Sequence, residues 1–419
     1  MRFLYTALLW LLLPYAFLHL WWRARKQPEY LQHIGERFGR YTVATSKPVI
    51  WLHTVSVGET RAAATLVQSL RERYPDHQLL LTHTTPTGRA ASEQLYGEEV
   101  IRVYLPYDYP FAVQHFITHF KPRLGVLLET EVWFNLIQAC AEADIPLLLL
   151  NARLSPKSAR SYARFRSLAR EGLHSLALIA AQTEDDALRL ASLGHRAVPV
   201  MGNLKFDIMP PAGMLALGAE LRQRFGALRP VFLAASTREG EEALLLNALQ
   251  YAAVDNLLVV VVPRHPQRFD EVAALIEQHG LRMQRRSSNE PIAADTQVVL
   301  GDSMGELFAY YVACDAAFIG GSLLPLGGQN LIEACAVGKP VLLGPHTYNF
   351  AQAAATAIER GAALRVRHAD DLVHLLNVLM YDAERSQAMG AAGRRFVQEN
   401  QGATEHALCL IDTVLARTA

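Results

Sequence analysis

Residues 49–82 read VIWLHTVSVGETRAAATLVQSLRERYPDHQLLLT, and this stretch decides the fold. Val49–Thr54 is a short apolar run, Gly58 permits a tight turn after it, Thr60–Arg73 carries apolar residues at helical spacing, and Gln78–Thr82 is a second short apolar run. Working outward, further strands are predicted at Val100–Leu105, Leu124–Leu128, Pro146–Leu150, Leu176–Ala181 and Ala197–Met201, with helical intervals such as Val132–Ala143. Apolar strands that alternate with helices form a parallel sheet covered on both faces, so the class is α/β. The paired prolines and glycine of Asp207–Gly213, DIMPPAG, interrupt the pattern. It restarts with strands predicted at Pro230–Ala235, Asn256–Val262, Thr296–Leu300, Ala316–Ile319 and Pro340–Leu343. A helix from about Ala403 to Leu415 is expected to pack back onto the first domain. The expected division is therefore 1–25, 26–206, a linker 207–215, 216–400 and a returning helix in 401–419. Two such domains, with the loops at their strand ends facing each other, make a central ligand cleft.

Residues 1–25 stand apart. Phe3–Trp22, FLYTALLWLLLPYAFLHLWW, carries no charge and departs from apolar character only at Thr6, Pro14 and His19. As a helix it spans roughly 30 Å, the thickness of a bilayer core. It runs into Trp21-Trp22, then Arg23, Arg25 and Lys26, without a small-residue cleavage site, which favours an uncleaved anchor with the rest of the chain in the cytoplasm. The alternative is an interfacial helix kinked at Pro14. Over the whole chain of 419 residues, 40 Lys and Arg balance 40 Asp and Glu, which argues against holding nucleic acid by bulk electrostatics. The balance conceals seven basic residues against two acidic ones in residues 1–47. Four scattered cysteines (Cys140, Cys314, Cys335, Cys409) form neither a disulfide framework nor a zinc ribbon.

No G-x-G-x-x-G follows the first strand of either half, and no P-loop is present, so a dinucleotide dehydrogenase and a P-loop enzyme are excluded. Without a D-x-D or a cluster at metal-ligand spacing, metal-independent chemistry with no cofactor is expected. Glu59 sits where the first strand hands over to a helix; it serves there as a general base, or it only stabilises the helix start, worth about 0.3–1 kcal/mol. Glu129 and Glu131 follow the fourth strand, and Glu131 also reads as a cap for the next helix. Lys205, in GNLKFD beside the linker, also reads as a surface lysine.

The second half offers anion-binding features. Ser236 or Thr237 is expected to cap a helix whose free N–H groups can hold a phosphate. Arg264 stands in VPRHP, fixed by Pro263 and Pro266, with a planar fork suited to phosphate or carboxylate. Met304, Gly305 and Glu306 open another helix after a strand. In GGSLLPLGGQNLIEACAVGKPVLLGP, from Gly320, two glycine pairs imply close approach by a ligand. There Asn330 and Glu333 either form a capping box or turn Glu333 toward ribose hydroxyls.

The ordered set HTVSVGE, LETEVW, GNLKFD, VPRHP, the MGE turn and GGSLLPLGGQNLIEACAVGKPV, behind an N-terminal anchor, resembles the 3-deoxy-D-manno-octulosonic acid (Kdo) transferases over nearly the whole chain. The resemblance implies a GT-B fold, with acceptor bound by the first Rossmann-like domain and donor by the second. It implies transfer of Kdo from CMP-Kdo to the lipid A precursor, lipid IVA, at the inner membrane. By position it makes Glu59 the base, has Glu129 and Lys205 support the transition state, and assigns the CMP to Pro263, Arg264, Met304, Gly305, Glu306, Asn330, Leu331, Ile332 and Glu333. Apart from the resemblance, Lys157, Arg160 and Arg164 recur along a helix started by Ser155-Pro156, with Arg153 before it and Arg166 and Arg170 after. With Arg23, Arg25, Lys26, Arg37 and Arg40, this stripe is expected to meet anionic headgroups or the acceptor's phosphates. The competing readings are a UDP-sugar glycosyltransferase, a sugar-nucleotide epimerase and a membrane-anchored binding protein without catalysis.

Overall fold

The structure, a computed structural model, describes residues 1–25, 27–194 and 197–417; Lys26 of the basic cluster lies outside them. The chain divides into two compact units, Met1–Asp207 with Asn400–Ala419, and Ile208–Glu399.

The first unit holds β1 (Val49–His53), β2 (Gln78–His83), β3 (Ile101–Tyr104), β4 (Pro122–Leu128), β5 (Leu147–Ala152) and β6 (Leu178–Ala181), paired in parallel in the order β3-β2-β1-β4-β5-β6. Its helices are α1 (Arg2–Ala24), α2 (Val57–Ala62), α3 (Ala64–Arg73), α4 (Pro86–Tyr96), α5 (Pro110–Phe120), α6 (Phe134–Glu142), α7 (Pro156–Arg164), α8 (Arg166–His174) and α9 (Glu184–Ser192).

Both faces of this sheet are buried, which is why its strands read as continuous apolar runs. Val49 and Trp51 of β1 point to one face with Leu127, Leu149 and Phe116, whereas Ile50 and Leu52 point to the other with Val126, Leu148 and α3. Trp51 fits because β4 presents Gly125 to it: a Cβ there would stand 2.6 Å from the indole. The indole Nε1 donates to Thr82 Oγ1 at 2.8 Å, so the one polar atom of this buried ring is satisfied. The second face is completed by the helix Ala403–Arg417, which contributes Ala407, Leu408 and Ile411. The Asp207 carboxylate accepts from the N–H groups of Gly402 and Thr404 and so fixes the start of that helix.

The second unit is a seven-stranded parallel sheet. Its strands are β7 (Val231–Thr237), β8 (Leu258–Pro263), β9 (Met283–Arg285), β10 (Val298–Leu300), β11 (Ala316–Ile319), β12 (Val341–Leu343) and β13 (Ala363–Arg365), in the order β13-β12-β11-β7-β8-β10-β9. The α/β reading therefore holds in both halves.

Several local expectations need correction. Ala197–Met201 is not a strand: only Val200 bridges, to Ala181. The helix expected over Thr60–Arg73 starts earlier and breaks at Ala63 into α2 and α3. A helix Ala212–Phe225 begins directly after Pro211, inside the residues that read as a linker. The proline pair thus precedes a helix, a position where a missing N–H costs nothing. The basic helix ends at Arg164, so Arg166 and Arg170 lie on α8 and not on the face that carries Lys157 and Arg160.

Candidate functional site

In the first unit the chemistry gathers at the C-terminal ends of β1, β4 and β5. The turn after β1 places Ser56 as N-cap of α2, its Oγ accepting from the Glu59 N–H at 3.5 Å. The Glu59 carboxylate folds back to accept from the Val55 N–H (2.8 Å) and from Ser56 Oγ (3.2 Å). Ser56 and Glu59 thus close the start of α2 together, the carboxylate reaching the N–H one residue before the N-cap instead of the N-cap N–H of a capping box. Capping does not exhaust the residue, however. Burial, then the nearby carboxylates of Glu129 and Glu131, push its pKa up to about 7 against these hydrogen bonds. A carboxyl poised there is half ionised at neutral pH, which suits a proton acceptor.

Glu129 follows β4 with φ of 62°, in the left-handed region. Such a backbone costs on the order of 1–3 kcal/mol in a non-glycine residue and persists where its surroundings over-determine it. Here the Glu129 N–H donates to Leu150 O, Arg153 N–H donates to Glu129 O, and Lys205 Nζ lies 2.8 Å from Glu129 Oε1. The ion pair is about four-fifths shielded on both sides. Lys205 is therefore no surface lysine. Two asparagines hold its short turn: Asn203 Oδ1 accepts from the Lys205 N–H (3.0 Å), and Asn151 Oδ1 accepts from the Leu204 N–H (3.2 Å). Asn151 itself has φ of 53° at the end of β5. Neither asparagine stood out in the sequence; an Asn at the end of an apolar strand is the signal that was there.

Glu131 does not cap α6, whose N-cap position is Trp133. Its carboxylate accepts instead from the Trp133 indole N–H at 2.6 Å and lies 4.0 Å from His53 Nε2. His53 is fully buried, and desolvation takes its pKa down to about 3, so the ring is neutral. His53 Nδ1 lies 3.0 Å from the Thr82 carbonyl and 2.8 Å from Thr82 Oγ1, which leaves Nε2 as the ring atom that faces Glu131. Beside Glu129 and Arg153 lies a cavity of about 230 Å³, lined mainly by apolar side chains such as Leu154, Tyr162, Leu173 and Leu190.

In the second unit, Pro263 closes β8 and is buried, and half-buried Arg264 follows, its N–H bonded to Thr237 O at 2.9 Å. Met304 is exposed. Glu306 is gripped by Ser303 Oγ (2.6 Å) and by Arg286 (3.2 Å). The Asn330 and Glu333 side chains meet at 3.2 Å, and Asn330 Oδ1 accepts from the Ile332 N–H at 3.0 Å. The helix starts only at Ile332, with Leu331 in the N-cap position. Leu331 and Ile332 are fully buried, so neither side chain reaches a ligand from the core.

One expectation about this unit fails. The helix after β7 starts at Glu241 behind Gly240, so neither Ser236 nor Thr237 caps it. The first glycine of each pair is also required by the chain's own packing: a Cβ on Gly320 would stand 2.3 Å from Ser236 O, and one on Gly327 2.3 Å from the Asn349 side chain. Sequence reading also missed Glu241, whose fully buried carboxylate accepts from the N–H groups of Arg238, Gly321 and Leu323 and ties the two loops together. No cluster of His, Cys, Asp or Glu suited to a metal ion occurs among the described residues.

A family model described as 3-Deoxy-D-manno-octulosonic-acid transferase (kdotransferase) matches residues 32–208. The chain is 43% identical to the 3-deoxy-D-manno-octulosonic acid transferase of Bordetella pertussis, with 97% of this chain and 98% of that protein covered. It is 37% identical to the enzyme of the same name from Haemophilus influenzae, with 99% of each covered. Among solved structures, Anabaena Alr3699/HepE in complex with UDP and glucose matches 88% of this chain and 99% of its own at a TM-score of 0.57. Its 16% identity makes the likeness one of fold, the GT-B fold with its two Rossmann-like units.

Proposed function

The chain belongs to the 3-deoxy-D-manno-octulosonic acid transferase family, a family of glycosyltransferases, and on that premise we propose that it transfers Kdo from CMP-Kdo to lipid IVA with inversion, in lipopolysaccharide biosynthesis. The observation that carries the proposal is the grouping of Glu59, Glu129 and Lys205, with the Glu59 carboxyl raised to about 7. Glu59 takes the proton of the acceptor hydroxyl. As that oxygen bonds to the anomeric carbon of Kdo, the bond from this carbon to the phosphate oxygen breaks, and its electron pair leaves with CMP. The ion pair of Lys205 with Glu129 supports the charge that develops at the sugar.

The donor CMP is assigned to Pro263, Arg264, Met304, Gly305, Glu306 and residues 330–333, with Leu331 offering its backbone N–H because its side chain is buried, and Ile332 acting through Asn330, whose Oδ1 its own N–H engages. A single phosphate needs less compensation than a diphosphate, so the guanidinium of Arg264 replaces a metal ion and no cofactor is required. The location proposed is the inner membrane, with both units on its cytoplasmic side. Purified protein, CMP-Kdo and lipid IVA should yield a lipid heavier by one or more Kdo residues in mass spectrometry. Transfer from a UDP-sugar instead, or full activity in Glu59→Gln, would overturn the assignment.

A further inference from the structure

α1 is the one helix among the described residues long and apolar enough to cross a membrane, yet it is bonded to the first unit along its length. Near its start, Tyr5 Oη donates to the Asp108 carboxylate (2.8 Å), its ring stands edge-on to Phe134 at 5.3 Å, and Thr6 Oγ1 donates to Asn135 Oδ1 (2.9 Å). Asp108 also accepts from the N–H groups of Asn135 and Leu136, so Tyr5 is joined to the carboxylate that caps α6. In the middle, Leu9 O accepts from Tyr109 Oη (2.9 Å), and Trp10 packs on Tyr109 and Phe111. Toward the end, Phe17 stacks on Phe38 at 5.0 Å, and Leu20 and Ala24 are buried.

These contacts run from residue 5 to residue 24, about 28 Å of helix at ~1.5 Å per residue. A helix that crosses a bilayer carries its two ends roughly 30 Å apart, to opposite sides. Here both ends touch one folded body, and that body is not surfaced for lipid: α5, which carries Phe111, exposes Gln114, His115, Thr118 and His119. Away from the unit, α1 turns Phe3, Leu4, Leu11, Tyr15, Leu18, Trp21 and Trp22 outward. Arg25 sits over the Trp21 ring at 3.9 Å. Phe134, against which the start of α1 rests, opens α6; α6 packs on α8, and α8 on α7. On α7, Lys157, Arg160 and Arg164 are exposed and have no acidic partner among the described residues.

We infer that α1 lies in the plane of an anionic phospholipid surface, immersed in one leaflet, with both of its ends on the side that holds the two units. The outward apolar face supplies the insertion, and the unpaired cations of α7 supply the attraction to headgroups. The charge pattern selects lipid over a second copy of the chain, because a like-charged copy would set two rows of unpaired cations against each other.

The test uses the full chain with exposed Cys409 replaced by Ser, which leaves the buried Cys140, Cys314 and Cys335, and with one new cysteine in a short Gly/Ser extension before Met1. A membrane-impermeant maleimide should modify the new cysteine in inverted membrane vesicles and not in intact spheroplasts, as it does Cys409 in the parent chain. Modification from the side opposite to Cys409 means a spanning helix and overturns the inference. In flotation assays, binding to phosphatidylglycerol vesicles should fall on the order of tenfold when Lys157, Arg160 and Arg164 are all changed to Glu. Equal binding to phosphatidylcholine vesicles, or self-association without vesicle binding, overturns the anionic surface as partner. Neither readout depends on Kdo transfer, so the proposed reaction can fail while this placement stands.

Discussion

The two units share a parallel sheet flanked by helices, but they treat charge at their strand ends in opposite ways. In the first unit, three carboxylates press on one another, Glu59 is held away from its ordinary ionisation, and Glu129 adopts a backbone that disfavours any side chain. In the second, charged groups are pinned by partners: Glu241, which burial also shifts upward in pKa, accepts from three backbone N–H groups, and Arg268 is clasped by Glu242 (2.6 and 3.1 Å) and Glu271 (3.0 Å). A group that moves a proton must sit near its balance point, whereas a surface that holds a ligand gains from rigidity. One unit keeps an acid near its balance point, and the other locks its charged groups to fixed partners.

That contrast can be broken by experiment. The largest effect is expected from Glu59→Gln, which should lower kcat about 10²–10⁴-fold while leaving the KM for donor nearly unchanged. The same variant should be more stable than the parent at alkaline pH. The folded-state pKa of Glu59 lies above that of the unfolded chain, so its contribution to stability is full in acid and lost as pH rises through about 7. Glutamine should therefore match the parent at pH 4 and exceed it by about 1–3 kcal/mol at pH 8 in urea melts. An unchanged melt at pH 8 would mean that Glu59 is not strained.

Arg268→Met should do the reverse, costing about 3–5 kcal/mol by leaving Glu242 buried without its partner, with kcat per folded molecule retained. A loss of kcat in the folded fraction would erase the distinction between the units. Next, kcat/KM should rise with pH along an acid limb centred near 7, and Glu129→Gln should move that limb to lower pH by removing a negative charge that raises Glu59. An unmoved limb would separate Glu129 from the base. Smallest of all, Asn330→Ala should cost about 1 kcal/mol through the lost bond to the Ile332 N–H and weaken donor binding without altering the pH profile.

The sheet of the first unit was largely legible because its strands are apolar on both faces, a pattern that survives without knowledge of their neighbours. β9 and β13 were missed because MQR and ALR are three-residue edge strands, paired on one side and carrying no apolar run. Ala197–Met201 misled in the opposite sense, since its apolar residues pack without forming a ladder. At the site, the positions of Glu59 and Glu129 at strand ends were readable. The pairing of Lys205 with Glu129, two strands away in the chain, depends on tertiary folding and on the turns that Asn151 and Asn203 impose. The glycine pairs near Gly320 show the commonest hazard: a missing side chain announces close approach and does not say by what.

The return of Ala403–Arg417 to the first unit bears on how the molecule is made. Because Ile208–Glu399 forms a unit of its own, it is an insertion within the first, and a ribosome completes it before that helix has emerged. Until then Ile50, Leu52, Val126 and Leu148 lack one of their covering elements. The Asp207 carboxylate waits meanwhile for N–H groups almost two hundred residues downstream. A nascent chain is thus obliged to finish its second sheet before its first is sealed, and the seal is a built-in check that synthesis has run past Gly402.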